Sequence, residues 1–160
     1  DVIIAATHAV FSDPAAQRLA ECGAREIVVT NTLPISDDLG ADKVKVLSIA
    51  PLLAAAILCE VAATLSLKGA LDRPALYVVV VAGYMASFTL LAAVLRRGMG
   101  LGVAYGIWSA CGVTLTTVLS TVVFGERFTP VMGLGVGCVI AGVLLVETGT
   151  RHAPVEDVSA

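Results

Sequence analysis

The sequence predicts a mainly α protein in which a four-helix transmembrane bundle follows a short, partial α/β segment. Three observations carry that expectation. The 160-residue chain is 58% hydrophobic and 14% charged, against about 45–50% apolar and about 25% charged in a soluble domain. Its charges are unevenly placed, with eleven of 23 in residues 1–46 and twelve in the rest. Beyond residue 46, four apolar stretches of roughly twenty residues follow one another. Such a composition excludes disorder. A net charge of −3 gives no basic surface, so no nucleic-acid partner is expected.

Residues 1–50 read as the partial α/β segment. Val2–Ala6 is a short apolar run that predicts a strand; it is too short, and lacks the basic flank, for a secretory signal. A helix should follow, with Asp13 as its cap, Pro14 at its first position, and Gly23 ending it after Cys22. Glu26–Thr30 and Val44–Ile49 are rich in β-branched residues and predict two more strands, joined by the polar stretch Ser36–Asp42. Strand, helix, strand, loop, strand is the order of a parallel sheet. Thr30, Asn31 and Thr32 read as turn formers, and His8 as a packing or capping residue.

Residues 51–150 read as the membrane unit and 151–160 as a polar tail. The predicted spans are Leu47–Leu67, Leu76–Leu95, Leu101–Phe124 and Thr129–Val146. Each suffices for about 30 Å of hydrocarbon at about 1.5 Å per residue. Arg96-Arg97-Gly98, Gly125-Glu126-Arg127 and Glu147 end the last three. Short connections make successive helices antiparallel neighbours. A soluble four-helix core is excluded, since it would leave no polar face for water. Five basic residues near the helix ends (Lys43, Lys45, Arg96, Arg97, Arg151) oppose three (Lys68, Arg73, Arg127), a weak bias towards a cytoplasmic N-terminus.

Within those spans Glu60 is the residue that calls for a mechanism. A carboxylate at mid-bilayer is costly and usually faces a polar cavity. Lys68, eight residues on, sits at the membrane edge. A carboxyl that holds either a proton or an organic cation, and not both, couples proton entry to cation exit; the plainer alternative is a permanently protonated Glu hydrogen-bonded to a neighbouring helix. Tyr84 lies mid-span, and Tyr105 and Trp108 lie three apart on one helical face. Aromatic faces attract cations, whereas Tyr77 near a helix end suits interfacial anchoring. Gly102, Gly106 and Ala110, Gly133 and Gly137, and Gly135 and Gly142 provide close-packing surfaces. The four cysteines read as small buried hydrophobes, and with His8 and His152 isolated no metal or cofactor is expected.

Two resemblances refine these expectations. DVIIAATHAVFSDPAAQRL, EIVVTNTLPI and VKVLSIAPLLAAAI, covering about residues 1–58, resemble the C-terminal end of ribose-phosphate pyrophosphokinase (PRPP synthetase). That resemblance implies a phosphoribosyltransferase-like segment. It lacks the family's phosphoribosyl-binding loop and ATP site, so no enzyme activity is expected of it. SIAPLLAAAI fits both a closing strand and helix and the opening of the first span, so residues 52–58 should serve one unit or the other. A fused, spliced or engineered chain is the most economical account.

ILCEVAATLSLK (57–68), GYMASFTLL (83–91), GVAYGIWSACG (102–112) and the glycine-spaced last span resemble the small multidrug resistance family over about residues 52–150. The resemblance implies a multi-pass protein of the cell (inner) membrane, paired as an antiparallel homodimer or with a paralogue as a heterodimer. Two copies of Glu60 then share one chamber and bind proton and substrate alternately. Tyr84, Tyr105 and Trp108 match its lining aromatics, Thr64 and Ser87 match nearby polar positions, and Gly135 and Gly142 match the dimer-contact pattern. Thr89 stands where some members have Trp, and Ala110 where many have Gly. EVAAT and IWSACG are closer to exporters of polyaromatic cations than to guanidinium exporters. The implied function is a proton-coupled antiporter for lipophilic or quaternary ammonium cations, with protons and the lipid bilayer as its other partners. Two alternatives stand beside it: a non-catalytic fragment of ribose-phosphate pyrophosphokinase, and a guanidinium exporter of the same membrane family.

Overall fold

The computed structural model describes residues 1–7, 9–10, 15–31 and 43–151. His8, Asp13, Pro14, Thr32, the stretch Ser36–Asp42 and His152 with the rest of the tail after Arg151 lie outside the described residues. Three parallel strands, β1 (Ile3–Ala6), β2 (Glu26–Thr30) and β3 (Val44–Leu47), form a sheet in the order β1-β2-β3, with helix α1 (Ala15–Glu21) between the first two in sequence. The period-two pattern of β2 puts Ile27 and Val29 on one face, both buried in a small core with Ala9 and Ala24 and flanked by Leu19, Cys22 and Val44.

The four predicted spans are present as helices long and apolar enough to cross a membrane. They are α2 (Ala50–Gly69), α3 (Tyr77–Arg96), α4 (Leu101–Phe124) and α5 (Pro130–Arg151), with a 3₁₀ turn at Pro74–Leu76 leading into α3. The third strand ends at Leu47, two residues earlier than its composition predicts, and α2 begins three residues later than the predicted span. Asn31 explains both limits. Its backbone N–H donates to the Leu47 carbonyl at 3.2 Å, and its side-chain oxygen accepts the Ile49 N–H at 3.1 Å. Ser48 adds a bond from the Ala50 N–H at 3.3 Å. Polar groups at the start of α2 are thus satisfied from outside the helix, as an α-helix N-terminus requires. Residues 52–58 lie in α2, where Leu53, Ala56 and Ile57 are buried against α3 and α4, and among the described residues no strand packs on this helix. Thr30 adds a second link: its hydroxyl donates to the Thr7 carbonyl and lies 3.4 Å from the Arg97 carbonyl at the end of α3.

Inside the bundle α2 is the central element. Leu53, Ala56, Ile57 and Val61 are buried with Leu91 and Val94 of α3 and with Ala104 and Trp108 of α4. Its approach to α3 is set by absent side chains. A Cβ on Gly83 would lie 2.9 Å from the Ala63 Cβ and 3.0 Å from the Cys59 carbonyl oxygen. One turn further along α3, the fully buried Ser87 donates its hydroxyl to the Ala56 carbonyl at 2.8 Å. Without hydrophobic drive between helices in lipid, such close contacts and interhelical hydrogen bonds hold the bundle together. Gly125, at φ +66°, takes the left-handed conformation that ends α4 and turns the chain.

Helix α5 differs from the other three. Among the described residues it packs against α4 alone, and none of residues 130–149 is buried. Leu134, Leu144 and Leu145 point outward, an arrangement suited to lipid or a second chain and not to water. The cysteines depart from a uniformly buried reading: Cys22 and Cys59 are half-buried, but Cys111 and Cys138 are exposed on membrane helices.

Replacing Gly83 with leucine forces α3 away from α2. The substitution should lower the unfolding free energy by about 1–3 kcal/mol, measurable by SDS-induced unfolding in mixed micelles, and values within error of the unsubstituted chain would contradict this account of the packing.

Candidate functional site in the bundle

A period near 3.6 places Glu60, Thr64 and Lys68 along one side of α2, four residues apart. Thr64 Oγ1 lies 2.9 Å from the Glu60 carbonyl oxygen and 3.2 Å from Glu60 Oε1. From α3, the Tyr84 hydroxyl lies 2.9 Å from the same Thr64 oxygen. Thr64 has one proton to give and lone pairs to accept with. When it donates to Glu60 it accepts from Tyr84, and the three side chains form a short chain ending on the carboxyl.

The other carboxyl oxygen faces α4. A Cβ on Gly112 would lie 2.5 Å from Glu60 Oε2, so glycine is what allows the carboxyl to rest on the α4 backbone. Glu60 is half-buried among three helices. Among the described residues no Lys or Arg pairs with it.

One turn before Gly112, Trp108 is only 9% exposed. Its ring centroid is 5.7 Å from that of Phe88 on α3 and 5.3 Å from that of Tyr105, both at tilted angles of 59° and 58°. Among the described residues its buried indole Nε1 meets no acceptor. Tyr105 is 54% exposed, on the outside of this single chain. The structure thus joins Glu60, Thr64 and Tyr84 by hydrogen bonds and sets Trp108 in tilted ring contact with Tyr105. Ser87 is held apart, its hydroxyl taken up by the α2 backbone. Gly135 and Gly142 lie on α5, where an added Cβ at either would meet open space.

The sequence singles out neither Gly112 nor Phe88 nor the partner of Lys68. Lys68 Nζ pairs with the Glu126 carboxylate in the turn after α4, and it stands 4.6 Å over the Phe124 ring. Hydrogen bonding from Lys68, with a smaller contribution from Ser120, holds the Glu126 carboxyl below the usual carboxylate range. The signal available in sequence was the eight-residue interval from Glu60 to Lys68, which puts both on one side of α2.

Residues 48–140 match the family model described as Small Multidrug Resistance protein. The chain belongs to the Small Multidrug Resistance family. It is 41% identical over 101 residues to a multidrug transporter of Pseudomonas aeruginosa, covering 62% of this chain and 91% of that protein. It is 38% identical over 99 residues to the multidrug resistance protein mmr of Mycolicibacterium paratuberculosis, covering 61% of this chain and 92% of that one. With four membrane-capable helices, this Small Multidrug Resistance chain is a multi-pass inner-membrane protein, and the two relatives it covers over nine-tenths of their length are named for multidrug transport and multidrug resistance.

Residues 1–86 match a second model, the Phosphoribosyl synthetase-associated domain. Over 57 residues the chain is 72% identical to ribose-phosphate pyrophosphokinase of Mycobacterium tuberculosis, 36% of this chain and 18% of that enzyme. The chain therefore spans less than a fifth of the length of these relatives. The two matched regions overlap over residues 48–86, which contain the whole of α2.

Two substitutions test this geometry. Gly112→Ala should displace only the flexible end of Glu60, leaving helix content and unfolding midpoint unchanged while shifting the carboxyl infrared band that Glu60→Gln removes; an unshifted band would contradict the close approach. Lys68→Met should return the Glu126 carboxyl upward towards the ordinary range, read from its ¹³C chemical shift against pH. The sign follows from linkage: a carboxyl lowered by folding stabilises above its unfolded value, and that contribution is lost as pH falls through the lowered one.

Proposed function

We propose that this chain is a proton-coupled antiporter that exports lipophilic or quaternary ammonium cations, with Glu60 exchanging a proton for substrate. The observation that carries this reading is the setting of Glu60. It is the ionisable residue of the four spans that lies away from the helix ends, and it is half-buried without a basic partner among the described residues. An unpaired charge in a dry site is costly. Neutralisation is achieved by a proton or by a cation, and binding one displaces the other.

Tyr84 and Thr64 hold the carboxyl in place. Trp108 and Tyr105 provide aromatic faces one turn away on α4, favouring aromatic and alkylated cations. Ser87 fixes the α2–α3 spacing that the chain of hydroxyls requires. Exposure of Tyr105, and of Leu134, Leu144 and Leu145 on α5, supports completion of the site by a second subunit, as an antiparallel homodimer or a paralogous heterodimer. Gly135 and Gly142 on the open side of α5 are the proposed contact. Residues 1–50 are proposed to be non-catalytic: phosphoryl transfer needs a phosphate cradle and metal-binding carboxylates, and the match covers 18% of the pyrophosphokinase's length.

The test is proton release during parallel titration with tetraphenylphosphonium and with guanidinium. Tetraphenylphosphonium should release protons and bind more tightly as pH rises from about 5 to about 9, and Glu60→Gln should abolish both effects while the protein stays folded. Binding that does not vary with pH would refute the exchange. Proton release with guanidinium in place of the aromatic cation would assign the chain to the guanidinium exporters instead.

A further inference from the structure

At the opposite end of the bundle from the sheet, where α2 ends and the α4–α5 turn begins, two groups from the chain flank one ammonium. The Glu126 carboxylate pairs with Lys68 Nζ, and the Phe124 ring lies 4.6 Å beneath it. The left-handed Gly125 brings this about by turning Glu126 back over the last turn of α4. Negative oxygen on one side and an aromatic face on the other form the donor set that holds an organic cation. Here the chain's own lysine occupies it.

We propose that Glu126 and Phe124 form a second, peripheral site for monovalent lipophilic cations, blocked in the resting protein by Lys68. The block is weak by construction. The Lys68 and Glu126 side chains are 45% and 41% exposed, so water and salt screen their attraction. Lys68 has a flexible stem and a strongly hydrated head that is easily returned to water. A bulky, poorly hydrated cation gains more from the ring than the ammonium does. Further titratable groups near the site are Arg127 in the same turn and Asp72 and Arg73 beyond α2. The site is separate from Glu60, lying eight residues away along the same side of α2, about 12 Å at 1.5 Å per residue. It serves as a waiting position at the mouth of the groove between α2 and α4.

The experiment uses the full chain in phosphatidylcholine nanodiscs, with tetraphenylphosphonium as probe and equilibrium dialysis as readout. Glu60→Gln serves as the background, so the result does not depend on the exchange proposed for Glu60. In that background Lys68→Met should tighten binding about tenfold, the gain expected if lysine fills the site about nine-tenths of the time. Adding Glu126→Gln should remove the whole gain, and Phe124→Leu should remove about threefold of it. Lys68→Arg, which keeps a cation in place, should leave affinity at the background value. No tightening in Lys68→Met, or tightening that survives Glu126→Gln, overturns the proposal. Loss of pH-dependent binding in Glu60→Gln alone bears only on the central site.

Discussion

How closely α3 and α4 can approach α2 governs the rest of the molecule. At Gly83 and at Gly112 an added Cβ would overlap the neighbouring helix or the group resting on it. The first of these contacts brings Tyr84 within hydrogen-bonding reach of Thr64, and the second gives the Glu60 carboxyl a resting place on α4. A carboxyl inside lipid is tolerable because Thr64 on its own helix bonds it and Tyr84, from a helix nearly in backbone contact, bonds Thr64. A larger residue at Gly83 would part α3 from α2, whereas one at Gly112 would displace only the carboxyl.

The junction between the two units follows a related rule. In lipid, a helix end must have its polar backbone satisfied by something, and α2 lacks a capping side chain of its own. Asn31, in the turn just after β2, supplies the bond at Ile49 and also fixes the end of β3. One residue therefore closes a strand and opens a membrane helix. The two matched regions share α2 in sequence, and only Ser48 and Ile49 separate that helix from β3.

Sequence and structure agree where the controlling physics is local. Four spans follow from apolar runs of sufficient length, and the strands from β-branched clusters. Thr64 could be matched to Glu60 because a four-residue interval alone places them together, and Tyr105 to Trp108 by an interval of three. The features that escaped depend on how one helix is registered against another. Phe88 meets Trp108 only once α3 and α4 are aligned. Gly112 is indistinguishable from the chain's other helical glycines until Glu60 lies over it. Lys68 reads as a charge at the membrane edge, since Glu126 is 58 residues away in sequence. The start of α2 was misplaced for the same reason, because a distant asparagine sets it.

The isolation of α5 has a mechanical consequence. At 24 residues, α4 is the longest of the four helices, and α5 of 22 residues is fastened to the bundle only along it. At about 1.5 Å per residue both exceed an average hydrocarbon thickness of about 30 Å and must lean to fit. A thinner bilayer increases the lean and a thicker one reduces it, with α5 carried along by α4. Gly112 sits near the middle of α4, so that tilt changes the surface on which the Glu60 carboxyl rests. Membrane thickness, and hence the lipids of the host, becomes a variable that acts directly on the carboxyl at the centre of the bundle.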